Sequence, residues 1–95
     1  MTIKFYNMPY NLKAGMTLKN SNMQEKFNMA LHICNNKEDI LNNRKMLADA
    51  LGLPLQQFVF TNQTHSANFK KIASHDAGQG ALTVDSAIPN TDALY

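Results

Sequence analysis

Cysteine is almost missing. Cys34 stands alone, which excludes an internal disulfide and makes a reducing compartment the expectation. No apolar run approaches the length that crosses a bilayer, and no basic-then-apolar leader opens the sequence, so the cytoplasm is the expected location. Charge of one sign is scarce as well. Nine Lys and Arg against seven Asp and Glu leave a net charge of +2, with no basic run. That excludes the electrostatic footprint of a nucleic-acid binder and gives no reason to expect a membrane partner. Repeats and low-complexity tracts are absent too. The 95 residues are 44% hydrophobic, ordinary for a folded protein, and allow at most one domain with a modest core.

Among the elements that are written in the sequence, a helix over Asn35–Leu51 is the clearest. Asn35 suits the capping position, with Glu38 three residues on to reach back to it. Glu38 and Asp39 put negative charge in the first turn, where the helix dipole favours it. Gly52 suits a left-handed stop, and Pro54 forbids continuation. At about 100° per residue, Ile40, Leu41, Leu47, Ala48 and Leu51 share one face. Arg44 falls within that face and Asn43 at its edge. An unpaired buried charge is costly. The guanidinium of Arg44 therefore snorkels outward, pairs with an acidic residue, or reaches past the helix to hold phosphate or a substrate oxygen.

Around the helix the patterns are those of short strands. Thr2–Tyr6 is β-branched and aromatic and predicts a first strand. Pro9 and Gly15 interrupt the next stretch, so residues 8–15 are expected to form a loop or hairpin connection. Asn28–Cys34 alternates, with Met29, Leu31 and Ile33 on one side and Asn28, Ala30, His32 and Cys34 on the other, which predicts a half-buried strand. On such a strand the Cβ atoms of His32 and Cys34 lie about 6–7 Å apart. The pair can ligate a metal with His65 as a third ligand. Equally, Cys34 serves as a small core residue and His32 orients a neighbour. Leu53–Phe60 leads into a central strand, completing a strand–helix–strand unit. Residues 67–74 read as another strand, 76–80 as a turn with His75 exposed at its edge, and 81–88 as weakly β. The fold class expected is α/β (α+β), a mixed β-sheet packed with at least one helix over about residues 36–51.

Chemistry concentrates after the apolar run Phe58–Phe60. Asn62, Gln63 and His65 come directly after it, and polar groups at the end of a rigid strand are a common way to hold reactive groups. His65 fits a metal ligand or proton carrier, and equally a histidine in a surface turn. Asp92 begins the last segment, where it either accepts a hydrogen bond near that site or serves a turn.

Asn62-Gln63-Thr64-His65-Ser66 resembles the Asn-Gln-x-His-Gly signature of the YfiH-like laccase-domain family, first described as multicopper polyphenol oxidoreductases and now read largely as zinc-dependent purine nucleoside phosphorylases. Three further segments resemble the family in the same order. Asn28–Asn35 is similar to its Asn-Leu-Gly-x-His-x-Gly-Asp segment, Asn42-Asn43-Arg44 with Leu47 and Leu51-Gly52-Leu53 to its Glu-Asn-Arg helix, and Thr91–Leu94 to its Ala-Asp-Ala-Leu entry. The resemblance implies that these residues are a single incomplete domain, the N-terminal part of a longer protein. It implies catalytic zinc held by His65 together with a cysteine and a second histidine beyond residue 95, with copper as the other metal such ligands accept. The implied substrates are a purine nucleoside and phosphate, cleaved to base and ribose 1-phosphate. Adenosine deamination and methylthioadenosine cleavage are related activities, and the 95 residues alone are expected to be inactive. Arg44, Asn43, Asn62, Gln63, His32 and Asp92 are the implied contacts to substrate or supports of the ligand. The alternatives are a copper polyphenol oxidase, a peptidoglycan-editing member, and a non-catalytic α/β binding module. The sequence departs from the family at Ser66, where a glycine is usual, at Ala30, Cys34 and Asn35, and at residues 19–22, which lack the usual Thr-Arg-x-Gly-Gly-Val-Ser stretch.

Overall fold

A computed structural model describes residues 3–9 and 11–95. Thr2, expected to open the first strand, and Tyr10, inside the expected hairpin connection, lie outside the described residues. The chain divides into two compact units, Met1–Asn43 and Arg44–Tyr95. The class is mixed α/β, as the patterning predicts, with one α-helix, an antiparallel strand pair and a parallel pair among the described residues.

In the first unit, β1 (Ile3–Tyr6) and β2 (Ala14–Thr17) form an antiparallel hairpin with Phe5 opposite Gly15. A Cβ on Gly15 would stand 2.7 Å from the Lys4 carbonyl oxygen, so the close approach requires glycine. A short 3-10 turn comes next at Gln24–Phe27, with φ at +47°, +55° and +66° for Glu25, Lys26 and Phe27. Three consecutive left-handed non-glycine residues are sterically unfavourable and persist only where contacts fix them. Two such contacts are plain. Phe27 is buried, and the Glu25 carboxylate accepts the amides of Asn35 (2.8 Å) and Asn36 (3.1 Å).

That carboxylate moves the start of the helix. The helix α1 spans Lys37–Leu51, and its cap is Asn36, whose Oδ1 accepts the Glu38 amide at 2.9 Å, instead of the expected Asn35. The segment Asn28–Cys34 also departs from expectation. It is irregular, with a turn at Leu31 and His32, and not a strand. The Asn28 side chain closes it locally, accepting the Ala30 amide at 3.0 Å and donating to the Ile33 carbonyl at 2.6 Å. Backbone groups satisfied in this way have no need of a ladder. Leu31 is buried while Ile33 is 69% exposed, so the alternation does not mark a buried face. Among the described residues the expected strand before α1 is therefore missing from the strand–helix–strand unit.

The second unit opens on the C-terminal half of α1. The Leu53 amide donates to the Ala48 carbonyl and the Gly52 amide to the Asp49 carbonyl, each at 3.1 Å, with Gly52 at φ +71°. These are the paired bonds of a glycine-terminated helix. Pro54 leads into a 3-10 turn, Leu55–Gln57, where the sequence pattern predicts the approach to a central strand. Ala48, Leu55 and Ala81 form the core, with Phe58 and Phe60 packed on it, their rings stacked 6.3 Å apart. From Phe58 the chain is bonded along one edge. The Phe58 carbonyl takes the Gly78 amide, the Phe60 amide gives to Gln79, and the Phe60 carbonyl takes the Ile88 amide. Only the parallel bridge Thr61–Ile88 counts as β here. The remaining strands are short: β3 (Phe69–Lys70) pairs in parallel with β4 (Ala93–Leu94). The strand expected over residues 67–74 thus shrinks to two residues, because the carboxylate of Asp76 accepts the Ala73 amide at 2.9 Å and turns the chain into a 3-10 turn at Ser74–Asp76. Residues 81–87, expected to be weakly β, form turns.

Gly80 fixes the geometry of that turn region. Its φ is +73°, and a Cβ would stand 2.8 Å from the Phe60 Cβ and 2.9 Å from the Phe60 carbonyl oxygen. Gly80→Ala is therefore expected to cost roughly 3 kcal/mol, combining left-handed strain with overpacking against backbone. Urea unfolding of the variant measures it, and a loss below about 1 kcal/mol would contradict the packing described.

Candidate functional site

The loop after Thr61 is fastened at both ends. The Asn62 amide donates to the Ile88 carbonyl at 2.8 Å, and its carbonyl accepts the Thr91 amide at 3.3 Å. On the far side, the Asn68 carbonyl accepts the Asp92 amide at 3.0 Å, and its Nδ2 donates to the Asn90 carbonyl at 3.0 Å. Between these ties, three consecutive amides turn inward onto one carboxylate. Asp92 Oδ1 accepts the amides of Thr64 (2.8 Å) and His65 (2.9 Å), and Oδ2 accepts the Ser66 amide (2.9 Å) and the Ser66 hydroxyl (2.6 Å). The Ser66 hydroxyl and these amides hold the Asp92 carboxyl far below the usual carboxylate range, so it is ionised at neutral pH. His65 sits at φ +57°.

The backbone of His65 is engaged, but its ring is exposed and makes no hydrogen bond among the described residues. Asn62 and Gln63 are exposed beside it in sequence. Ser66, which stands where the family has glycine, gains a hydroxyl bond that a glycine could not make. The sequence carries no signal of that bond, because the partner lies 26 residues away and nothing in the spacing announces it.

His32 is exposed in a turn of the first unit, and the Cys34 thiol donates to the Leu31 carbonyl at 3.4 Å. The face that would have paired them as ligands does not exist, since no strand forms there. Asn43 is buried and its Nδ2 donates to the carbonyls of Gln24 and Asn28, both at 2.9 Å, tying down the left-handed turn. Arg44 is also buried. Its Nη1 donates to the carbonyls of Gly80 (2.6 Å) and Ala81 (2.8 Å), and the guanidinium stacks 3.8 Å from the Phe60 ring centroid. Burial lowers its pKa to about 10, still charged at neutral pH. Backbone carbonyls of a glycine turn thus receive part of the guanidinium's charge. His75 is exposed, with Nε2 3.5 Å from Asp76 Oδ1.

Among the described residues no group of three His, Cys, Asp or Glu side chains could hold a metal. The donor set nonetheless fits one position of a zinc site. An exposed imidazole on a pinned backbone is chemically suited to one nitrogen position of such a site. No helix of the described residues is long and apolar enough to cross a membrane.

Residues 13–95 match the family described as multi-copper polyphenol oxidoreductase laccase. The chain is 36% identical over 86 residues to a purine nucleoside phosphorylase, YlmD, of Geobacillus stearothermophilus and 35% identical to its namesake in Bacillus subtilis, covering 86% of this chain and 31% of each relative. Among solved structures it is similar to the hypothetical protein YfiH of Bacillus licheniformis, with a TM-score of 0.80 and 34% identity over 86% of this chain and 32% of that one. It is also similar to the structure of Geobacillus stearothermophilus YlmD, with a TM-score of 0.70 and 38% identity over 72% of this chain and 25% of that one. The chain thus spans less than a third of the length of these two curated relatives.

Proposed function

The chain belongs to the multi-copper polyphenol oxidoreductase laccase family, and on that premise we propose that it is the N-terminal part of a zinc-dependent purine nucleoside phosphorylase. The relatives' names support the reaction. The observation that carries the reading is the exposed, unengaged ring of His65 on a backbone held by three amide bonds. Such a ring is open to a ligand. In this reading His65 is one ligand of zinc, and a cysteine and a second histidine outside residues 1–95 are the others. Bound zinc supplies Lewis acidity toward phosphate or water. Phosphate oxygen forms the new bond to the sugar carbon as the bond to the purine nitrogen breaks, and the base leaves with the electron pair. Adenosine deamination and methylthioadenosine cleavage belong to the same reading. The 95 residues alone, with one ligand of three, are inactive in it.

A second reading, copper-dependent polyphenol oxidation, is favoured by the family's description and by the affinity of copper for histidine and cysteine. One experiment separates them. The whole protein is incubated with inosine, with and without phosphate, and separately with a phenol and oxygen. Phosphate-dependent release of hypoxanthine that stops on chelation and returns with zinc is expected. Phenol oxidation with no nucleoside cleavage would replace the first reading with the second. Neither activity in the metal-loaded protein would leave a non-catalytic binding role.

A further inference from the structure

Asp92 lies 27 residues from His65 in sequence, yet its carboxylate holds the histidine's backbone on both sides. Free in solution, a histidine rarely adopts a left-handed conformation, because its Cβ crowds the following carbonyl. Here φ is +57°, and the reason is visible. Turning three successive amides toward one carboxylate requires the chain to curl through that region. Both carboxylate oxygens are used, and the Ser66 hydroxyl closes the second at 2.6 Å. The carboxylate is itself fixed from behind, since the Asp92 amide is bonded to Asn68 and the Thr91 hydroxyl to the Pro89 carbonyl at 2.8 Å. The consequence falls on the ring of His65, which carries no bond among the described residues. With the backbone pinned, the direction of the Cα–Cβ bond is fixed, and only the two side-chain torsions remain to be set by a ligand.

We propose that Asp92 is a positioning residue, which aims the His65 ring by gripping the amides of Thr64, His65 and Ser66, with the Ser66 hydroxyl completing the grip. The inference rests on the reading of His65 as a metal ligand. The carboxylate touches neither metal nor substrate in this scheme. It removes the rotational freedom that a flexible loop would have to surrender on binding, a cost that support of a ligating histidine typically offsets by about 10–100-fold in metal affinity. Asparagine in its place keeps one oxygen for the Thr64 and His65 amides but sets an N–H donor against the Ser66 amide, so Asp92→Asn is expected to fall between the wild type and Asp92→Ala. Asp76 provides the control. It is a buried carboxylate of the same unit that accepts the Ala73 amide and the Gln79 side chain, so its removal loosens structure without touching the His65 loop.

The test uses the whole protein and two readouts besides turnover. Amide hydrogen exchange at residues 64–66 reports the grip directly. Zinc affinity by chelator competition, together with the visible spectrum of the cobalt-substituted protein, reports ligand geometry. Asp92→Ala is expected to speed exchange at all three amides, weaken zinc by about 10–100-fold and alter the cobalt spectrum. Ser66→Gly is expected to do the same in smaller measure. Asp76→Ala is expected to leave affinity and spectrum unchanged. Unchanged exchange in Asp92→Ala would overturn the grip. Faster exchange with wild-type zinc affinity, while His65→Ala still loses zinc, would overturn the positioning role and leave the metal reading standing. Wild-type zinc affinity in both variants would overturn the metal reading and this inference with it.

Discussion

Arg44→Ala is expected to lose about 4 kcal/mol of stability, read by urea or thermal unfolding of the whole protein. The side chain is 5% exposed, and at least two charge-assisted bonds and one ring contact depend on it. Each hydrogen bond from a charged donor is worth about 1.5–3 kcal/mol, and a desolvated guanidinium over an aromatic ring about 2. Removing the donor also leaves the Gly80 and Ala81 carbonyls without it in a region where Ala81 is fully buried. Arg44→Lys is expected to recover less than half. An ammonium has no planar face to stack on Phe60, and its nitrogen does not stand where Nη1 meets both carbonyls. A loss below about 1 kcal/mol in the alanine variant would mean that the turn at 80–81 is held by something else.

His65→Ala is expected to abolish both zinc binding and phosphate-dependent inosine cleavage in the whole protein. Losing a mere supporter of a ligand costs about 10–100-fold, so losing one ligand of three should exceed that. The fold should be indifferent, since the ring is exposed and its only bonds run through the backbone, which alanine keeps. His75→Ala serves as a control, because its side chain is exposed and outside this loop. Metal content per chain and the initial rate of hypoxanthine release are the measurements. Wild-type turnover in His65→Ala would remove the basis of the proposed function.

Much of the helix is legible in the sequence because its signals are local. Gly52 and Pro54 end it where expected, and the apolar stripe correctly holds Ile40 and Ala48 on the buried side. The start differs by one residue because Glu25, ten residues back, takes the amide of Asn35. A partner that distant leaves no mark on a capping pattern. The Asn28–Cys34 alternation misleads for a related reason. A single asparagine side chain satisfies two backbone groups and makes a turn cheaper than a strand. Arg44 stands out in the sequence as a charge on an apolar face. Its partners are invisible there, because every residue has a carbonyl and nothing distinguishes those of Gly80 and Ala81 beforehand. The His65 loop is legible as a place of interest. How it is held, through Asp92 and Ser66, depends on a contact across 26 residues that only the folded chain reveals.

Three successive amides converging on a point form a seat suited to an inorganic anion. In this protein the seat is already taken by a negative group that the chain itself provides. A phosphate ion approaching the loop from that side meets repulsion where it would otherwise find donors. The oxyanion that the proposed reaction consumes must therefore be received by different groups, and a search for its binding place should begin away from the Asn62–Ser66 backbone.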